Sequence, residues 1–130
     1  MIELNKFIED MRSTSSANEK VQIIKDSSEF IHKVLEYTYN PYKQYHVTSK
    51  TCLKNSGLIK YNTHQDPFTL LNDLTNRKYT GHDAIAQING FELATDSGDL
   101  IYKIIDKDLG IRAGIKVINK AIPGLIPTFS

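Results

Sequence analysis

Apolar residues at Leu4, Phe7, Ile8 and Met11 recur at three- and four-residue intervals, one face of a helix. Ser16 with Glu19 three residues on reads as a capping box ahead of Val21 and Ile24. Ser28 opens a third helix with Phe30, Ile31, Val34 and Leu35 facing inward. Asn40-Pro41 closes it, because the residue before a proline is pushed out of the helical region. Residues 41–65 show no clean period and hold Tyr42, Tyr45, His46, Tyr61, His64 and a Ser56-Gly57 turn. They read as one long, partly extended connection. Asp66-Pro67 starts the next helix with an acceptor at the cap and proline at the first helical position, and Phe68, Leu71 and Leu74 continue it. Thr80-Gly81-His82-Asp83 reads as a second capping box, with Gly90 as the stop. Asp96 and Ser97 start another helix, with Leu100, Ile101, Ile104 and Ile105 as its stripe and Gly110 as its end. The last helix spans about Ala113 to Ala121, anchored by Ile115, Ile118 and Ile122 and terminated by Pro123-Gly124. The pattern predicts an all-α bundle of roughly six or seven short helices, with no hairpin and no internal repeat.

Length and composition agree with this picture. A chain of 130 residues with 40% hydrophobic and 24% charged side chains is one globular domain able to bury a core without metals or disulfides. The single cysteine, Cys52, excludes an internal disulfide and fits a reducing compartment. The N-terminal segment carries Glu3, Glu9 and Asp10 and no apolar run, so it does not read as a signal peptide. No apolar stretch is long enough to span a membrane.

Charge changes the picture through its distribution. The net charge is only +1. Yet Lys43, Lys50, Lys54 and Lys60 fall in one acid-free stretch, 37–65, and Arg112, Lys116 and Lys120 in another, 109–130. Two basic islands on a nearly neutral chain suggest a one-sided electrostatic footprint.

Most catalytic readings fail on spacing. His32, His46, His64 and His82 are scattered, with no C-x-x-C or H-x-x-x-H, so no metal site is expected. Cys52 with His46 or His64 lacks a third, orienting group. The stretch "KDLG" at 107–110 is a near miss for the K-x-D-G of lysine-adenylating enzymes, but its acid follows the lysine by one residue instead of two. Lys107 reads better as a charge at a helix C-terminus or a phosphate contact. No catalytic residue is assigned.

Nucleic-acid binding suits the pattern better. Arg112, Lys116 and Lys120 recur every four residues and line one side of a helix, and Asn119 joins them. Ala113 and Gly114 leave room at the start of that helix, where free amides favour phosphate. Arg77-Lys78-Tyr79-Thr80-Gly81 puts two cations before a second helix start. Few side chains suited to base edges are present, so contact to the backbone without sequence choice is expected. Four to six phosphate contacts would give a salt slope of about −4 to −5.

The segments "LTNRKYTGHDAIAQINGF" (74–91) and "KDLGIRAGIKVINKAIPGLIP" (107–127) resemble the N-terminal helical domain of ATP-dependent DNA ligases of the T-even phage type. R-K-x-T-G-x-x-A-I and N-K-x-x-P-G-L-I-P are the most specific pieces; "YNPYKQY" at 39–45 fits more loosely, and the likeness runs in order along most of the chain. The resemblance implies a single DNA-binding domain over 1–130 that grips nicked duplex through the minor groove and phosphates. The nucleotidyltransferase and OB-fold domains of the parent ligase would follow after Ser130, and ATP and magnesium would be theirs. This domain would carry no cofactor and act as a monomer in the cytoplasm of a bacterial host, with double-stranded DNA and the ligase's own catalytic domain as partners. The residues expected at the DNA are Lys43, Arg77, Lys78, Thr80, Gly81, Lys107, Gly110, Arg112, Ala113, Gly114, Lys116, Asn119 and Lys120. One departure stands out: the family carries a glycine in the turn before the last helix where this sequence has Arg112. A side-chain contact by Arg112 is expected in place of a close backbone approach. Two other classes fit the pattern: a helical protein–protein adaptor and a small helix-turn-helix regulator.

Overall fold

A computed structural model describes residues 2–61, 64–95 and 99–128. Among these it contains eight helices and no strand: α1 (Ile2–Arg12), α2 (Ala17–Asp26), α3 (Glu29–Tyr39), α4 (Ser49–Lys54), α5 (Pro67–Thr75), α6 (Gly81–Ala94), α7 (Leu100–Ile105) and α8 (Ile115–Ala121). The all-α reading holds. No helix among the described residues is long and apolar enough to cross a membrane.

Local signals explain the best-defined starts. Ser16 accepts from the Glu19 amide, Ser28 from the Ile31 amide, and Asp66 from the Phe68 amide with Pro67 at the first position. The capping box at α2 has a hydroxyl interposed: Thr14 donates to the Glu19 carboxylate and accepts from the Ser16 amide. Leu4, Phe7 and Met11 of α1, with Val34 and Leu35 of α3, enter the core as their spacing requires.

The short helix α7 is the centre of the molecule. Leu100, Ile101, Ile104 and Ile105 are all buried, and α7 packs against α3, α4, α5 and α6. The α2–α8 pair forms the opposite end, with Ile24 and Ile118 fully buried and α1 laid against α2.

Five boundaries differ from the sequence reading. The connection 41–65 contains α4, whose first amide and hydroxyl (Ser49) are held by the Asp106 carboxylate from beyond α7. Gly90 does not stop α6. The helix runs on to Ala94, and Gly90 is the place where residue 60 crosses it: a Cβ there would lie 2.0 Å from the Lys60 carbonyl oxygen. The Thr80 side chain makes no capping bond, so that capping box is not formed. α7 ends at Ile105, well before Gly110. Last, α8 begins at Ile115, two residues later than expected; Ile118 is buried, while Ile115 and Ile122 are only half-buried. The proposed start at Asp96 and Ser97 lies outside the described residues.

Candidate nucleic-acid interface

The turn between α5 and α6 is built by a left-handed residue. Arg77 has φ 61°. Its amide donates to the Leu74 carbonyl (3.1 Å) and the Lys78 amide to the Asp73 carbonyl (2.9 Å), the bonding of a Schellman cap with arginine in the usual glycine position. The Arg77 side chain is exposed and has no polar partner among the described residues. Lys78 stands 3.8 Å from Asp73 and 5.6 Å above the Tyr79 ring. Asp73 is shared with His64 (3.0 Å), whose ring stacks edge-on against Tyr79.

This turn delivers the chain to the start of α6. Gly81 is left-handed (φ 56°) and Thr80 is extended. With no side-chain cap, the first amides of this 14-residue helix are open to an outside acceptor. One acid sits there, Asp83, with Lys60 at 3.7 Å. A cleft of about 170 Å³ adjoins the helix start, lined by His46, Thr51, Arg77, Thr80 and Gly81 and floored by Tyr45.

The second cationic region is a strap, residues 107–114, laid across the helix ends. Lys107 takes the left-handed position after α7 (φ 61°) and closes a second Schellman cap. Its ammonium turns inward. It donates to the Asn40 and Lys43 carbonyls and lies 5.7 Å from the Tyr45 ring centroid. Desolvation lowers its pKa, opposed by Glu36. The Leu109 amide donates to Tyr39 Oη (3.1 Å), a phenol whose pKa burial raises. Asp108 accepts from the Gly110 amide (2.8 Å). Arg12 then donates to the Gly110 carbonyl (3.3 Å), and Lys20 to the carbonyls of Ile111 (3.5 Å) and Arg112 (2.7 Å).

Three consecutive carbonyls of the strap, those of residues 110–112, are therefore taken up by cations of the protein itself. The amides of Arg112, Ala113 and Gly114 find no acceptor among the described residues. Arg112 is left-handed (φ 55°) and exposed, in the turn where a glycine was expected. It lies off the helix, so only Lys116 and Lys120 share a face of α8. At seven residues α8 contributes little dipole, so the side chains carry the charge.

The expected contacts thus separate. Arg77, Lys78, Thr80 and Gly81 are exposed together at one turn, and Arg112 and Gly114 at another, with Lys116 and Lys120 exposed on the helix that follows it. Five are placed differently. Lys107 is an internal latch. Asn119 exchanges two hydrogen bonds with the Ile126 backbone and holds the tail against α8. Lys43 lies 4.0 Å from Glu36 and 4.4 Å from the Tyr37 ring centroid. Ala113 is half-buried and Gly110 lies against Arg12.

Lys20 and Arg12 were missed. The signal for Lys20 was there: it shares the buried stripe of α2 with Val21 and Ile24, an unusual place for a lysine. No group of three His, Cys, Asp or Glu converges among the described residues.

The molecule is thus a small all-helical domain with exposed cations at two of its turns. The chain is 26% identical, over 132 aligned residues and 94% of its length, to the DNA ligases of Enterobacteria phages T4 and T6. It spans 26% of the length of each. No protein-family model matches the chain. The likeness supports a relationship with phage DNA ligases.

Proposed function

We propose that this chain is the DNA-gripping domain of a DNA ligase, holding duplex around a nick through phosphate and minor-groove contacts without reading sequence. The observation that carries the reading is the pair of turns at Arg77 and Arg112. Among the described residues, each presents a guanidinium without a partner beside amides without an acceptor, which is what a phosphodiester needs. Five exposed cations contribute: Arg77, Lys78, Arg112, Lys116 and Lys120. Lys107 touches Tyr45, which lines the cleft at Arg77, so one loop links the strap to the first turn. Adenylation and sealing belong to other domains of such a ligase, so duplex binding by this monomeric chain needs neither ATP nor magnesium.

The test is fluorescence anisotropy of the chain with nicked and intact duplexes of several sequences, in EDTA, across a salt series. The expected result is binding indifferent to sequence, tighter on the nick, with a log–log salt slope of about −4 to −5. Arg112→Ala with Lys116→Ala should reduce that slope by about two and leave thermal stability nearly unchanged, since both side chains are exposed. A strong sequence dependence would instead indicate a base-reading regulator, and an absence of salt-sensitive binding a protein adaptor.

A further inference from the structure

Lys20 is buried, at 7% exposure, and it arrives at the strap from a helix about ninety residues earlier in the chain. An ammonium is withdrawn from water only where acceptors replace its hydration. Here the acceptors are backbone carbonyls of Ile111 and Arg112, with no carboxylate of the described residues among the partners of this lysine. Arg112 holds a left-handed conformation that a side chain disfavours, so its surroundings have to impose it. Ile111 is buried on one side of it, and Lys20 binds the carbonyl of Arg112 itself at 2.7 Å. With that carbonyl turned toward α2, the Arg112 side chain and the amides that follow are left on the solvent side. A carbonyl facing outward there would repel a phosphate.

We infer that Lys20 is a positioning residue for DNA binding. It fixes the left-handed turn at Arg112 and turns two carbonyl oxygens away from the phosphate that Arg112 meets. This rests on the DNA-binding reading above. It adds a residue that touches no DNA, and it explains how arginine is accommodated where a glycine would adopt the turn unaided.

The experiment is a double-mutant cycle on the full chain: wild type, Lys20→Met, Arg112→Gly and the pair, with Lys20→Arg as the conservative variant. Each is measured for nicked-duplex affinity, salt slope and thermal midpoint. Lys20→Met should weaken binding roughly tenfold, the worth of one charge-assisted contact. It should also lower the salt slope by about one, although the lysine is buried. Arg112→Gly should do the same, and the pair should be no weaker than either single variant, because both remove one contact. Lys20→Arg keeps a donor for both carbonyls and should retain most of the affinity; it also serves if Lys20→Met does not fold. A purely structural lysine would lower the thermal midpoint and leave the salt slope alone. That result overturns the inference, as do losses that multiply in the pair. A wild-type chain without affinity for duplex overturns the DNA-binding reading and the inference with it, whereas duplex binding untouched by either Lys20 variant overturns the inference alone.

Discussion

Two neighbouring residues in α6 do unlike work. The Asn89 side chain donates to the carbonyls of Cys52 (3.2 Å), Asn55 (3.2 Å) and Leu58 (3.0 Å), and accepts from Tyr102 Oη (2.8 Å). It thereby ties α6 to the end of α4 and to the turn that follows it. Gly90, next to it, matters for what it lacks. The Lys60 amide donates to the Ala86 carbonyl (3.0 Å), and the strand-like crossing comes so close that a methyl group at Gly90 would overlap backbone. Helix propensity alone favours Gly90→Ala by about 1 kcal/mol. The packing reverses the sign: the variant should lose roughly 1–3 kcal/mol, the usual cost of overpacking, read as a lower urea midpoint. Gly57→Ala is the control, since nothing lies within 4 Å of a Cβ there. It should be neutral or slightly stabilising. A Gly90→Ala protein more stable than wild type would remove the close crossing from the fold.

At the scale of elements, the strap explains both what the sequence disclosed and what it hid. Helices whose starts are fixed within four residues, at Ser16, Ser28 and Asp66, were legible because the cap and the amide that donates to it are neighbours. α4 was not. It has a local cap, Thr48 accepting from the Thr51 amide, but its six residues bury only Cys52, so no period announces it; Asp106, 57 residues away, also holds its start. The end of α7 misled for a related reason: a glycine was expected in the left-handed position, and Lys107 occupies it, fixed by carbonyls of the 40–43 turn. Half of the candidate site was legible as charge, and the turn at Arg77 fell where expected. Yet the spacing Arg112, Lys116, Lys120 suggested a continuous helical stripe, which the tertiary donors Arg12 and Lys20 break by holding residues 110–112 off the helix. Lys107 supplies a test of this division between latch and contact. Lys107→Met should cost about 1–3 kcal/mol, because the Lys43 carbonyl is left without a donor among the described residues and the Asn40 carbonyl keeps only the Lys43 amide. It should leave the salt slope of DNA binding unchanged, unlike any loss at Arg112. A drop of about one in that slope would return Lys107 to the DNA surface.

For the molecule as a whole, the buried ionisable groups set a limit on the alkaline side. Burial raises the Tyr45 phenol, with Glu36 and Tyr37 adding to it, and pushes Tyr102 up to about 12 and the Cys52 thiol up to about 11. Tyr39 moves the same way. Each holds its proton more tightly folded than unfolded. The stability they contribute is complete below the ordinary values, 9.0 for the thiol and 10.0 for the phenol, and is lost as pH rises through the folded values. Lys107 has the opposite sign: its pKa is lowered on folding, so stability is recovered as pH climbs toward 10.5. Four groups oppose one, and the net expectation is a urea midpoint that falls steadily above about pH 9. Tyr45 should dominate. It is buried, its hydroxyl donates to the Tyr37 carbonyl at 2.6 Å, and its ring stands beside Lys107 and under the cleft at Arg77. A phenolate there would lose that bond and loosen the loop that joins both cationic turns. Tyr45→Phe removes the ionisation at the cost of one hydrogen bond, about 1 kcal/mol. The variant should be less stable than wild type at pH 7 and show a shallower decline between pH 9 and 11. Parallel curves for the two proteins would exclude Tyr45 as the group that limits the fold in alkali.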